Sequence, residues 1–257
     1  MTMLGVVATV LFRMLASNQR IYQSQTQLID RRQSIRAAEA ILPAELRELD
    51  ATDGDIIAFS PTSITLRAMR QLGFVCAAPR PDMARVAIRA SPLFGLRDFD
   101  PETDSLLVYA PGEDDGGWVP GPLSSIGGGT CDDGSSARLL GTTLAASAGA
   151  AMGAPVRGFE VVTYRLYRAS DGQWQIGLAT GRGGAIQPLI GPVTPAGLEL
   201  IYRDASGVPV ADPVRVAVIE IRLRAPTNQP IRRAGGGLER PVDSTVVVVA
   251  LRNNRRP

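Results

Sequence analysis

With no histidine and no lysine among its 257 residues, the chain keeps 25 carboxylates and two cysteines as its groups for acid–base or redox work near neutral pH. A Ser-His-Asp triad, a Cys-His pair and an HExxH zinc site are therefore excluded. So are a phosphate-binding loop with its lysine and a Schiff-base lysine. All 27 basic residues are arginine, which does not deprotonate and cannot serve as a general base. Glycoside hydrolysis needs two carboxyl groups facing each other across a cleft, and no spacing in the sequence singles out such a pair. The residue inventory therefore favours a binding or structural protein over an enzyme, with carboxylate-based hydrolysis ranked last.

Cys76 and Cys131 fit no zinc or CxxC spacing. In an oxidising compartment they pair as one disulfide, closing a loop worth about 4 kcal/mol in the chain-entropy model. In a reducing one they are two buried thiols. Glu113-Asp114-Asp115 and Asp132-Asp133 raise calcium as the one ion to weigh, since loop carboxylates with nearby carbonyls supply its oxygen ligands. Neither stretch has EF-hand spacing, and solvated turns are the plainer reading; no other cofactor is implied. Trp118 and Trp174 can stack a sugar, although Trp174 falls on an expected strand, where cross-strand packing is the commoner role. The arginines at 252, 255 and 256 read as a solvated end.

The elements that position these residues change character near residue 50. Met1–Leu11 is apolar but shorter than the roughly 20 residues a membrane helix needs, and it lacks a basic leader and a clean cleavage site. Beyond it, Ile21, Leu28, Ile35, Leu42 and Leu49 recur at a strict seven-residue step. That step lays one apolar stripe along a helix, suited to a coiled-coil seam or to packing on a sheet. Pro43 kinks or breaks that helix. After Asp53-Gly54 the pattern alternates and β-branched residues dominate. Expected strands include Ile56–Phe59, Ser63–Met69, Gly73–Ala77, Arg85–Ala90, Ser105–Tyr109, Ala137–Leu144 and Phe159–Arg168. Gln173–Leu178, Ala185–Ile190, Leu198–Tyr202, Val214–Arg224 and Thr245–Arg252 follow. Turns are marked at Ser170-Asp171-Gly172 and at Asp204–Gly207, and residues 225–243 read as a long loop. Apolar residues at 45% suffice for a packed core, while a net charge of +2 gives no electrostatic case for nucleic acid. The expected class is α+β: a long N-terminal helix over residues 1–50, apolar and then amphipathic, packed on a large, mostly antiparallel β domain over 51–257.

This layout resembles that of type IV pilin-like proteins. LFRMLASNQRIYQSQTQLIDRRQSIRAAEAIL resembles the second half of the helix in large minor pilins and in J-type pseudopilins of type II secretion. VVTYRLYRASDGQWQIGLA resembles their central hairpin, GLELIYRDASGVP with VRVAVIEIRLRA their late strands, and STVVVVALRNN their ending. The prepilin signature is absent: there is no leader, no glycine before a cleavage point and no phenylalanine followed by the recruiting glutamate. Three accounts compete: a start assigned too late, a truncated chain, or a paralogue without processing; the first is favoured, because Met1 and Met3 lie inside the apolar pattern.

The resemblance implies a single-pass subunit of the bacterial inner membrane with its β domain in the periplasm or on an extracellular filament. It would act in filament initiation or at the tip. Leu4, Val7, Leu11, Leu15, Ile21, Leu28 and Ile35 would pack against the helices of other pilin or pseudopilin subunits, and an inner-membrane assembly platform would be a partner. The alternative is a periplasmic ligand-binding β module, carbohydrate being one ligand class, oligomerised through its N-terminal helix.

Overall fold

A computed structural model describes residues 35–80, 83–111, 116–181, 184–226, 231–232 and 237–251. Strand dominates. In chain order the strands are β1 (Ile56–Ser60), β2 (Ser63–Phe74), β3 (Arg85–Arg89), β4 (Phe94–Gly95), β5 (Asp104–Ala110), β6 (Gly117–Pro122), β7 (Ser125–Thr130) and β8 (Ser136–Gly141). They continue with β9 (Pro155–Arg168), β10 (Trp174–Thr180), β11 (Gln187–Val193), β12 (Leu198–Arg203), β13 (Val218–Pro226), β14 (Ile231–Arg232), β15 (Leu238–Glu239) and β16 (Val242–Ala250). Helix among the described residues is confined to α1, residues 35–47, and α2 (Leu144–Ala148), with a 3-10 turn at Pro213–Arg215.

β9 is the spine. Antiparallel β2 covers one edge, from Ser63 opposite Arg165 to Phe74 opposite Pro155. The other edge is shared end to end. β10 takes Val162 to Arg168 and β5 takes Val156 to Glu160. β11 extends the sheet beyond β10, β6 beyond β5, and β1 and β4 flank β2. Two further three-stranded sheets are ordered β12-β13-β16 and β3-β8-β7, and β14 pairs with β15.

Strand alternation on β9 buries Val156, Glu160, Val162 and Tyr164. Val162 and Tyr164 enter a first core, where Leu42, Leu46 and Leu49 meet Ile64, Leu66 and Ile176 of the main sheet and Ile219, Ile221 and Val249 of the β12-β13-β16 sheet. Each such side chain contributes about 1.5–3 kcal/mol on burial. Val156 enters a second core, built from Val86, Ile88, Leu106, Leu140 and the small side chains Ala146, Ala150 and Ala154. A β-bulge in β2 serves both cores. Met69 faces Phe159 and Gln71 faces Gly158, so Arg70 is the extra residue. Burial before it falls on Ile64, Leu66 and Ala68, and after it on Gln71 and Gly73.

Several expectations are corrected here. The expected fold, a long N-terminal helix packed on a β domain, is replaced by a predominantly antiparallel β fold whose described helix α1 is about 20 Å long at 1.5 Å per residue. The turn that follows it is held by side chains: the Asp50 carboxylate accepts from the N–H groups of Thr52 and Asp53, and Asp55 accepts from that of Asp50. Pro43 neither breaks α1 nor ends it. No helix among the described residues is long and apolar enough to cross a membrane, so the single-pass inner-membrane placement is withdrawn. Leu4, Val7, Leu11, Leu15, Ile21 and Leu28 lie outside the described residues. Ile35 is buried.

The antiparallel β expectation fares better in its parts. Both marked turns form, with Gly172 at φ +81° and Gly207 at φ +85°. The expected strands Ser63–Met69 and Gly73–Ala77 merge into β2, because the bulge carries the chain through the intervening polar residues. The strand expected over Ala137–Leu144 stops at Gly141, where the Thr143 hydroxyl caps α2 by accepting from the Ala146 N–H.

Candidate ligand-binding site

The β9–β10 hairpin delivers Trp174. Its turn closes through the Ala169 N–H to the Gln173 carbonyl at 2.8 Å and the Gln173 N–H to the Asp171 carboxylate at 2.9 Å. The Arg168 guanidinium donates to the Gly172 carbonyl at 3.0 Å and stiffens the tip. Trp174 then faces Arg168 across β9 and Val193 across β11, at a point where the β10–β11 register shifts. One side of its indole rests on the first core. The residue is half-buried.

Past β11 the chain turns at Val193, Thr194 and Pro195, pinned by the Thr194 N–H to the Arg224 carbonyl and the Arg224 N–H to the Gly197 carbonyl, both 3.0 Å. This pinning joins the main sheet to the end of β13. The result is a cleft of about 400 Å3 lined by Gln173, Trp174, Pro192, Thr194, Pro226 and Arg240, among others. The Thr194 hydroxyl is buried, with no hydrogen-bond partner among the described residues. A half-buried indole, an amide and a guanidinium thus line one recess, with prolines as apolar neighbours.

The other expected residues are placed differently. Trp118, on β6, is covered: the Arg157 guanidinium lies 4.3 Å from its ring centre and Tyr109 meets its edge at 5.5 Å. One face of its ring is therefore occupied. Cys76 and Cys131 are joined as a disulfide, with Cα atoms 5.0 Å apart. Asp132 accepts from the Ala78 N–H at 2.9 Å. Asp133 accepts from the hydroxyl and N–H of Ser135 and pairs with Arg89, and these contacts hold its carboxyl far below the usual range. Asp132 is engaged by the segment across the disulfide, and Asp133 by its own turn and by Arg89. Of the other acidic stretch, residues 113–115 lie outside the described residues. No group of three or more His, Cys, Asp or Glu side chains able to hold a metal occurs among the described residues.

One constellation is not visible in the linear sequence. Arg70, re-aimed by the bulge, donates to Glu45 at 2.9 Å and to Glu160 at 3.2 Å. Arg97 clamps Asp104 through both nitrogens, at 2.5 and 2.8 Å, and lies 3.6 Å from Glu160. Asp104 faces Glu160 across the β5–β9 ladder, and its side chain is wholly buried. Burial would by itself lower the Arg70 guanidinium, but its two carboxylate partners outweigh that and raise it. Two arginines thus hold three carboxylates at the join between the two cores. Because each carboxylate is engaged by arginine, the arrangement holds elements together and offers no free acid and base.

The sequence marks Trp174 as a strand residue able to stack a sugar, with cross-strand packing the commoner role. Thr194, Pro192 and Arg240 were not legible, although the run IGPVTPAG (Ile190–Gly197) carries a proline-rich turn signal directly after a strand. No family model matches the chain, nor does any curated protein or solved structure. The resemblance to pilin-like proteins is therefore corrected: no match carries it, and the described helical residues do not form the long N-terminal helix that defines that layout.

Proposed function

We propose that the chain is a non-catalytic ligand-binding β module of an oxidising compartment, and that the Trp174 cleft is its carbohydrate site. The observation that carries the reading is the half-buried Trp174 indole, which lines the cleft together with Gln173, Arg240 and the prolines. A pyranose ring has an apolar C–H face and a hydroxyl rim. The indole matches the first by dispersion and electrostatics, and Gln173, Thr194 and Arg240 match the second as donors and acceptors. Ligand sites of this kind combine apolar walls with a few placed polar groups. The Cys76–Cys131 disulfide supports the oxidising compartment.

The test is calorimetric titration of the full chain with a panel of neutral oligosaccharides. Saturable binding to at least one of them is expected, with the sugar recovered unchanged and affinity lost by at least tenfold in Trp174→Ala. No saturation across the panel, or binding that survives Trp174→Ala, contradicts the assignment.

A further inference from the structure

A second recess lies in the β3-β8-β7 region beside the disulfide. It encloses about 350 Å3, near the small end of ligand pockets, which run about 300–1,000 Å3. Its apolar lining includes Leu139 together with Val75 and Val86, both buried members of the second core. Arg80 and Arg85 stand on its rim, exposed. Neither guanidinium has a hydrogen bond or ion pair among the described residues, in contrast to Arg70, Arg89 and Arg97.

The walls are preset. The disulfide joins the strand end before Ala77 and Ala78 to the turn holding Asp132. The Asp132 N–H donates to the Cys76 carbonyl at 3.0 Å, and the Asp132 carboxylate accepts from the Ala78 N–H at 2.9 Å. A recess held in this way loses little freedom when a ligand enters.

We propose that this recess binds a small monocarboxylate with an apolar body. Its carboxylate is held by Arg80 and Arg85, and its body lies on Val75, Val86 and Leu139. Arginine's planar fork matches a carboxylate in a bidentate fashion, and the lining offers apolar surface to the remainder. Asp132 shares the rim, so a monoanion is accommodated better than a dianion such as a phosphate monoester. The site is separate from the Trp174 cleft and does not depend on it.

Hexanoate and the neutral hexanol serve as probes in calorimetric titrations of the full chain. Hexanoate is expected to bind saturably and at least tenfold more tightly than hexanol. Replacing both exposed arginines, Arg80→Gln with Arg85→Gln, is expected to leave the circular dichroism unchanged and to bring hexanoate down to the level of hexanol. Trp174→Ala is expected to leave hexanoate binding intact, so failure of the sugar reading and failure of this one are distinguishable. Absence of saturable hexanoate binding, equal binding of hexanol, or an unaltered affinity in the double variant overturns the proposal.

Discussion

The two cores on either side of the β9 charge cluster are built by different means. The first gathers long aliphatic side chains from α1 and two sheets, and Tyr202 ties those sheets together by donating to the carbonyls of Ser60 and Ser63. The second is filled in part by alanines, and β6 and β7, which carry GWVPGP and SIGGGT, lie beside it. There the disulfide and close backbone approach take over: a Cβ at Gly129 would come within 2.8 Å of the Leu139 side chain. Large apolar area makes the first half self-sufficient. The second needs a covalent tie because small residues and glycine-rich strands bury less area and lose more chain entropy on ordering.

The largest expected effect strikes the join itself. Arg70→Met leaves Glu45 and Glu160 without their main partner, and removing one side of such a buried pair costs about 3–5 kcal/mol. Urea denaturation should show this as one cooperative shift of the whole domain. Loss of stability confined to one core would break the view of Arg70 as a shared joint.

Next comes the disulfide. Cys76→Ser with Cys131→Ser should cost about 2–4 kcal/mol, and the loss should be local. Hydrogen exchange is expected to rise in β3, β7 and β8 while Val162, Tyr164 and Ile176 of the first core keep their protection. Equal loosening of both cores would contradict the division of labour.

The smallest expected effect separates the two halves by pH. Burial pushes the Asp55 carboxyl, at the edge of the first core, above its ordinary value of 3.8, against the pull of the Asp50 N–H, Arg157 and Arg67. The folded state then holds that proton more tightly than the unfolded state does. Its stabilising contribution is complete below pH 3.8 and is lost as pH rises through the folded value. Asp133, beside the second core, has the opposite sign: its contribution is present above 3.8 and is lost as pH falls through its depressed folded value. Asp55→Asn should therefore remove a loss of stability on going from pH 4 to pH 6, read as a flatter melting-temperature profile over that range. An unchanged profile would mean that Asp55 does not titrate differently on folding.

The same contrast governs what the sequence made legible. Strands of the first half announce themselves by alternation: VVTYRLYRA and QWQIGLA, joined at Ser170-Asp171-Gly172, form β9 and β10 in register. In the second half, β6 and β7 carry Gly and Pro, which depress strand propensity. Pairing with β5 and β8 overrides that bias, and local sequence does not show such pairing. The seven-residue stripe overstated the described helix, because Leu49 shares the buried face while lying beyond the end of α1. Of the cleft, Trp174 was readable as an aromatic next to a turn. Thr194 and Arg240 reach it only because the sheets meet there, and no spacing encodes that meeting. The charge cluster was hidden for the same reason: Arg70 and Glu160 are 90 residues apart, and a bulge aims one at the other.

The chain has two tryptophans, one covered by arginine and one lining the cleft, so the most direct test observes both indole N–H signals by NMR while an oligosaccharide from the panel is added. The Trp174 signal is expected to move progressively and saturate while that of Trp118 stays fixed. A Trp118 signal that moves instead, or two signals that never move, would contradict the placement of the ligand site in the Trp174 cleft.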